Sequence, residues 1–80
     1  MNTYTCVRNR LLELCNQKNY SINHLANESG IAPSTIKNIL YGKSVNPGIV
    51  TLKILCDGLN ITLRDFFGTD VFHKLEQEIK

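Results

Sequence analysis

The stretch from Ser21 to Gly42, SINHLANESGIAPSTIKNILYG, determines how the rest of the chain is interpreted. Ser21 is a favourable N-cap, because its hydroxyl can accept a hydrogen bond from a free backbone N–H group of the first helical turn. Gly30 can close this helix with a positive φ at no steric cost. Pro33 suits the first position of a second helix, where its missing N–H loses no hydrogen bond. The sequence therefore predicts two short helices joined by a tight turn.

Apolar residues recur at helical spacing on both predicted helices. The first helix carries Leu25 and Ala26, and the second carries Ile36, Ile39 and Leu40. Ala26 is small at the point where the two helices must cross closely. A helix-turn-helix of this kind places its second helix in the DNA major groove. The pattern therefore indicates a protein that works by binding DNA.

A helix is also predicted before this unit, from about Tyr4 to Lys18. One face of it is apolar, at i, i+4, i+7 and i+8, and consists of Val7, Leu11, Leu14 and Cys15. The residues predicted to face away from the core are Arg8, Arg10, Glu13 and Gln17.

Two more helices are predicted after the unit. Asn46-Pro47 repeats the pattern of a cap followed by proline, so a fourth helix is expected from about Gly48 to Leu59. Thr62 and Asp65 have the spacing of a capping box, which predicts a short fifth helix over residues 63–67.

The residues after Gly68 leave several alternatives open. Asp70 could cap a sixth helix with an apolar stripe of Phe72, Leu75 and Ile79, or of Val71 and Leu75. This stripe could pack on the chain's own core, form a dimer interface, or belong to a frayed end. We therefore predict a domain over residues 1–68 and a helical C-terminal tail over residues 69–80.

Composition limits the class of protein. Eighty residues form one domain, and 42% hydrophobic residues are too many for a disordered chain. The apolar runs are shorter than the roughly 18 residues that a membrane span needs. Residues 1–10 lack the apolar core of a signal peptide. We therefore expect the protein to be in the cytoplasm and not in a membrane. Residues 1–43 hold five of the nine basic residues and two of the seven acidic ones, which suits a polyanionic partner.

Cysteine and histidine do not indicate a chemical site. Cys6, Cys15 and Cys56 are odd in number and form no CxxC pair, so neither a disulfide framework nor a zinc site is expected. Cys15 and Cys56 are better explained as small buried apolar residues. His24 lacks the neighbouring nucleophile and the third orienting group of a triad. The sequence predicts no enzyme activity, no metal and no cofactor.

From about Val7 to Phe67 the chain resembles the phage-repressor and Cro type of helix-turn-helix, also called the xenobiotic-response-element type. The features that match at family spacing are Leu25-Ala26, Gly30-Ile31, Ser34-Thr35-Ile36, Ile39, Gly42-Lys43, Pro47, Leu52, Ile54, Leu59-Asn60-Ile61, Leu63 and Phe66-Phe67. The resemblance implies an all-α fold, a compact five-helix lambda-repressor-like domain, here with a short extra C-terminal helix. It also implies a transcriptional regulator, usually a dimeric repressor, that reads an inverted repeat.

The resemblance assigns roles to particular positions. The residues implied to contact base edges are Pro33, Ser34, Thr35, Lys37 and Asn38. The residues implied to contact phosphates are Ser21, Asn23, Tyr41, Lys43, Ser44 and Asn46. Among these, Asn38 could pair with adenine through two hydrogen bonds, and Lys37 could reach guanine or a phosphate. The partner implied is double-stranded DNA, and a homodimer would form near residues 58–61.

Three departures from the family pattern stand out. Ala32 occupies the place of a Ser or Thr cap, and Ile22 the place of a common Gln. Cys15 and Leu40 stand where many members have an Arg–Glu ion pair. Replacing both ions by apolar residues can be neutral or stabilising, so we expect Cys15 and Leu40 to touch. An alternative function on the same fold is an antitoxin-like interaction module with a toxin or other protein partner.

Overall fold

The structure, a computed structural model, describes residues 2–79, and within that range it contains helices and no strands. The helices are α1 (Thr3–Lys18), α2 (Ile22–Ser29), α3 (Pro33–Leu40), α4 (Ile49–Gly58), α5 (Leu63–Phe67) and α6 (Asp70–His73). The predicted all-α class, with five helices and a short extra C-terminal one, is confirmed. No helix within residues 2–79 combines the length and the apolar character that crossing a membrane requires.

The helix ends follow local rules. Ser21 caps α2 by accepting a hydrogen bond from the His24 N–H at 3.0 Å, and Gly30 ends that helix with a φ of 69°. At α5, Thr62 and Asp65 form the predicted capping box, in which each side chain accepts the other residue's backbone N–H. These ends are stable because side chains satisfy backbone groups that have no partner inside the helix.

The start of α4 differs from the prediction. Gly48 is the N-cap in extended conformation, and its carbonyl accepts the first bond of the helix, from the Leu52 N–H at 3.1 Å. The Asn46-Pro47 pair therefore lies in the preceding loop, and the cap-then-proline interpretation of this pair is wrong.

The core lies between the first five helices. Each of them contributes a side chain with no exposed surface, namely Leu11, Leu25, Ile36, Leu55 and Phe66. Burial of such side chains is the main source of stability in a domain of this size. The three cysteines are free thiols; Cys6 and Cys56 are buried, and Cys15 is half-buried against the core. Burial raises the pKa of the Cys15 and Cys56 thiols.

Two arginines of α1 do not face away from the protein as predicted. The Arg8 Nε–H donates to the Leu40 carbonyl at 2.7 Å, at the end of α3. The Arg10 Nε–H donates to the Phe66 carbonyl at 2.9 Å, in the last turn of α5. Both guanidinium groups thus bind helix C-termini, where free carbonyls and the negative end of the helix dipole favour a cation.

The C-terminal tail returns to the body of the protein. Thr69 is the N-cap of α6 without a side-chain hydrogen bond, so Asp70 is the first helical residue and not the expected cap. Phe72 packs against Phe67 with ring centroids 5.0 Å apart. Beyond His73 the chain has no regular structure as far as residue 79, and Ile79 is 84% exposed. The apolar stripe predicted for this tail is therefore formed only in its first part.

Candidate nucleic-acid interface

The turn between α2 and α3 is closed by backbone hydrogen bonds, and two buried residues of α2 support it. Gly30 adopts the left-handed conformation, and the Ile31 N–H donates to the Ala26 carbonyl at 3.2 Å. This is the bond pattern of a Schellman motif, which satisfies carbonyls at the end of a helix. Leu25 and Ala26 are buried at the crossing. The turn thereby fixes the direction in which α3 continues from the end of α2.

Helix α3 separates its residues into two faces. Ile36, Ile39 and Leu40 are buried, which orients the opposite side of the helix outward. The residues predicted to contact bases lie on that outer side and at the N-terminal end. Pro33, Ser34, Lys37 and Asn38 are exposed there, and Thr35 is half-buried. The exposed polar groups of α3 are therefore accessible to a partner as large as a DNA duplex.

The phosphate-contact candidates fall into two places. Ser21 and Asn23 are exposed at the start of α2, where the Ser21 hydroxyl oxygen already accepts the helix-capping hydrogen bond. The remaining four lie just after α3, and of these Tyr41, Lys43 and Asn46 are exposed while Ser44 is half-buried. The Ser44 N–H donates to the Asn38 carbonyl at 2.9 Å, which holds this loop against α3.

A shallow depression of about 170 Å³ brings members of both groups together. Thr35 and Asn38 of α3 line it, together with Ser44 and Asn46 of the following loop. Ser21 and Asn23 are not part of it. The depression is polar, and its floor and rim carry amide and hydroxyl groups that can donate hydrogen bonds to a phosphate or a base edge.

The start of α4 also belongs to this surface, which the sequence reasoning missed. Gly48 and Thr51 line the same depression, and no side chain of the described residues caps the first turn of α4. Free N–H groups at a helix start attract anions. The signal in the sequence was Gly48, which the cap-then-proline interpretation placed inside the helix instead of at its cap.

The electrostatics of the surface favour an anion. Lys37 and Lys43 are exposed and form no ion pair within residues 2–79. The acidic residue of α2, Glu28, lies 3.7 Å from the His24 ring nitrogen. Within the part of the chain that is described, no group of three His, Cys, Asp or Glu side chains is placed to hold a metal ion.

The C-terminal end of α3 is held from outside the helix-turn-helix. The Lys37 carbonyl receives the Tyr41 N–H, as a continuing helix would. The carbonyls of Ile39 and Leu40 instead receive the Tyr4 hydroxyl and the Arg8 Nε–H, both from α1. No local pattern in the sequence indicates these bonds. Cys15 and Leu40 pack against the same core, and their mutual contact stays a prediction.

Two packed helices joined by a tight turn, the second with an exposed polar face, define the helix-turn-helix class of DNA-binding proteins. The chain belongs to the Cro/C1-type helix-turn-helix DNA-binding domain family, whose model matches residues 10–70. The predicted resemblance is thus confirmed, and the chain is a DNA-binding domain of transcription-regulator type.

A solved structure supports the same fold. The crystal structure of the prophage Lp1 protein 11 superimposes with a TM-score of 0.79 at 33% sequence identity, and the alignment covers 94% of this chain and 100% of that one. A search of curated proteins found no match.

Proposed function

We propose that the protein is a sequence-specific transcriptional regulator, and specifically a dimeric repressor that reads an inverted repeat through the major groove. The observation that carries this proposal is the exposed polar face of α3, opposite its buried residues Ile36, Ile39 and Leu40. A helix of this diameter fits the major groove, where each base pair presents a distinct pattern of donors and acceptors. The protein would act in the cytoplasm, where bacterial and phage DNA is accessible.

Base recognition falls to the exposed end of α3. Asn38 is the strongest candidate, because its amide can donate to and accept from adenine at once. Lys37 can donate a hydrogen bond to guanine, and Ser34 can hydrogen-bond several different bases. Pro33 and Thr35 complete the set by apolar contact and by hydroxyl donation. Since Pro33 offers no side-chain donor, the preferred sequence depends mainly on the other members.

Phosphate contacts would flank this helix on both sides. Ser21 and Asn23 would bind one strand with the free N–H groups of α2, and the loop after α3 would bind the other. The loop members are Tyr41, Lys43, Ser44 and Asn46. We add the uncapped start of α4 behind Gly48 to this group, because it shares their depression. Such contacts fix the register of the protein on DNA without choosing a sequence.

Two copies would bind together. The proposed dimer surface includes Asn60 and Ile61 between α4 and α5, where Asn60 is exposed; Gly58 is buried against α2 and does not take part. The two α3 helices would then lie about 34 Å apart, one turn of DNA. The structural similarity to a prophage protein supports a regulator that is carried by a mobile element.

The test is selection of bound duplexes from a randomised DNA pool at physiological salt, followed by sequencing. An enriched inverted repeat with half-sites about 10 bp apart would support the proposal. Enrichment of a single unrepeated half-site would support DNA recognition and overturn the dimer. Weak, salt-sensitive binding without enrichment would overturn sequence-specific recognition by the protein alone.

An antitoxin-like module is the second candidate. The observation in its favour is apolar surface outside the proposed DNA face, since Val71 is 51% exposed and Ile79 is 84% exposed on the tail. Such residues can dock a partner protein. The test is purification of the protein from its own host. Co-purification of a small unrelated protein in equal amount would favour this function.

A further inference from the structure

The C-terminal end of α3 is fastened to α1 by two side chains. The last carbonyls of an α-helix have no partner inside the helix and must find one elsewhere. The hydroxyl of Tyr4 donates to the Ile39 carbonyl, and the Arg8 Nε–H donates to the Leu40 carbonyl at 2.7 Å. These two bonds bridge 35 and 32 residues of sequence. They connect the first helix directly to the helix that is proposed to contact bases.

Tyr4 and Arg8 are suited to act as one unit. They are four residues apart on α1, so they lie on the same face of that helix. Both are half-buried, which restricts their side chains to few conformations. The guanidinium of Arg8 also lies at the negative end of the α3 dipole, and hydrogen bonds to charged groups are stronger than neutral ones.

We propose that Tyr4 and Arg8 are positioning residues that set the angle of α3 against α1 and thereby the sequence specificity of DNA binding. The proposal rests on the function proposed above. Neither residue lies within residues 10–70, which match the family, and neither belongs to the helix-turn-helix.

The geometry explains why orientation matters more than attachment. The buried residues Ile36, Ile39 and Leu40 keep α3 on the core, but apolar contacts are not directional and permit small rotations. Side chains that contact bases must be held within roughly 10–20° of the productive geometry. Two directed hydrogen bonds at the C-terminal end of α3, next to the base-contact candidates Lys37 and Asn38, supply that restriction.

A direct phosphate contact by Arg8 is the competing explanation. Its Nε–H is already bound to Leu40, and its Nη1 donates to the Asn9 side chain at 3.0 Å. A positioning role therefore predicts that specific binding is lost while non-specific binding and its salt dependence are kept. A phosphate contact predicts a weaker salt dependence for every DNA sequence.

The experiment compares two variants with two matched controls. Tyr4→Phe removes only a hydroxyl, and its control is Tyr20→Phe, which removes a hydroxyl without a hydrogen-bond partner among the described residues. Arg8→Gln removes the donor at α3, and its control is Arg10→Gln, which removes the two donors to the Asp65 and Phe66 carbonyls of α5. For each, the ratio of affinities for the selected site and a random duplex is measured over a range of salt, well below the melting temperature.

The expected result is a loss of the affinity ratio of about 10-fold for Arg8→Gln and about 3-fold for Tyr4→Phe, the size of losing all or part of one base contact. The controls should keep the ratio of the unchanged protein, even where Arg10→Gln lowers the melting temperature as much as Arg8→Gln. Arg8→Lys should recover part of the ratio, since lysine can still donate to a carbonyl. An equal loss in Arg8→Gln and Arg10→Gln would overturn the proposal.

A second measurement tests the orienting role of Tyr4 and Arg8 in the absence of DNA. Residual dipolar couplings give the angle between α1 and α3 in the free protein and in the double variant Tyr4→Phe/Arg8→Gln. A changed angle is expected, and an unchanged angle would contradict the positioning role even if DNA binding fell. If the unchanged protein selects no DNA sequence but the angle still changes, the proposed function fails and the orienting role of the two residues stands.

Discussion

Asn38 on α3 and Lys43 in the loop that follows α3 are both exposed, but they are expected to affect DNA binding differently. Asn38→Ala should weaken binding to the preferred site by about 1–3 kcal/mol and leave random DNA nearly unaffected, because an amide contact discriminates between bases. Lys43→Ala should weaken both and reduce the slope of log affinity against log salt by about 1, since a lysine contacts phosphate in any sequence. Titrations on both duplexes at several salt concentrations measure this.

Lys18→Ala is the control for these two variants. Lys18 is exposed in the last turn of α1 and lies outside the proposed contact set, so it should leave both affinities unchanged. The assigned roles would be wrong if Asn38→Ala and Lys43→Ala lost specific and non-specific binding in equal measure.

Gly58 is required for close packing rather than for a turn. A Cβ atom on this residue would overlap the Ser29 hydroxyl and lie 3.2 Å from the Ser29 backbone nitrogen. Gly58→Ala should therefore push α4 away from α2 and lower the free energy of unfolding by about 1–3 kcal/mol, as overpacking does. Urea denaturation measures the change.

Two further variants isolate the cause of that loss. Gly48→Ala adds the same methyl group where, among the described residues, no atom beyond the chain neighbours lies within 4 Å. It should therefore cost less than Gly58→Ala, no more than the loss of glycine at an N-cap. Ser29→Ala removes a buried hydroxyl that has no hydrogen-bond partner within residues 2–79, and it should recover part of the stability of Gly58→Ala. A Gly58→Ala protein as stable as the unchanged chain would contradict the tight packing described here.

At the scale of the helix, the α5 capping box should make stability depend on pH. The Thr62 backbone N–H donates to the Asp65 carboxylate at 3.1 Å, and this bond, together with the Thr62 side chain, lowers the pKa of Asp65. A carboxyl with a lowered pKa stabilises the folded state above its unfolded pKa, and the contribution is lost as the pH falls through the folded value.

Asp65→Asn tests this dependence. The variant should be less stable than the unchanged protein near neutral pH, and the difference should shrink below about pH 4, the ordinary range of an aspartate. Urea unfolding of both proteins across this pH range is the measurement. A difference that stays constant with pH would mean that the charge of Asp65 contributes nothing to the cap.

The helices also show which features of the fold are predictable from sequence. The Ser21 cap, the Gly30 turn and the Thr62–Asp65 box each depend on residues within a few positions of one another, and all three were predicted correctly. The partners of Arg8 and Arg10 were not, because their carbonyls lie 32 and 56 residues away. Helical periodicity places both arginines on an outward face, and only the packed structure shows which helix ends they meet.

The same limit applies to the candidate site. The outer face of α3 follows from the spacing of Ile36, Ile39 and Leu40, so the exposure of Lys37 and Asn38 could be predicted. The depression that joins Asn38 to the start of α4 at Gly48 could not, because it depends on how two helices and a loop pack.

At the scale of the whole molecule, the first five helices form one connected core. Each contributes a fully buried side chain, whereas α6 contributes none. The orientation of α3 depends on α1 and α2, which both contact it directly. The tail contacts this body through Phe72, which packs on the α5 aromatics, and through α6, which also lies against α1. Further along the tail, the Thr3 hydroxyl donates to the Glu78 carboxylate at 2.9 Å.

The first of these attachments decides between the three alternatives for the tail. Phe72 is half-buried against Phe66 and Phe67, so Phe72→Ala should lower the free energy of unfolding by about 1–2 kcal/mol, part of the value of a fully buried aromatic residue. Ile79→Ala, at a residue that is 84% exposed, is the control and should change little. If Phe72→Ala instead left monomer stability intact and abolished a dimer in sedimentation experiments, the tail would be an interface between copies, because its apolar residues would be stabilising a second chain and not their own core.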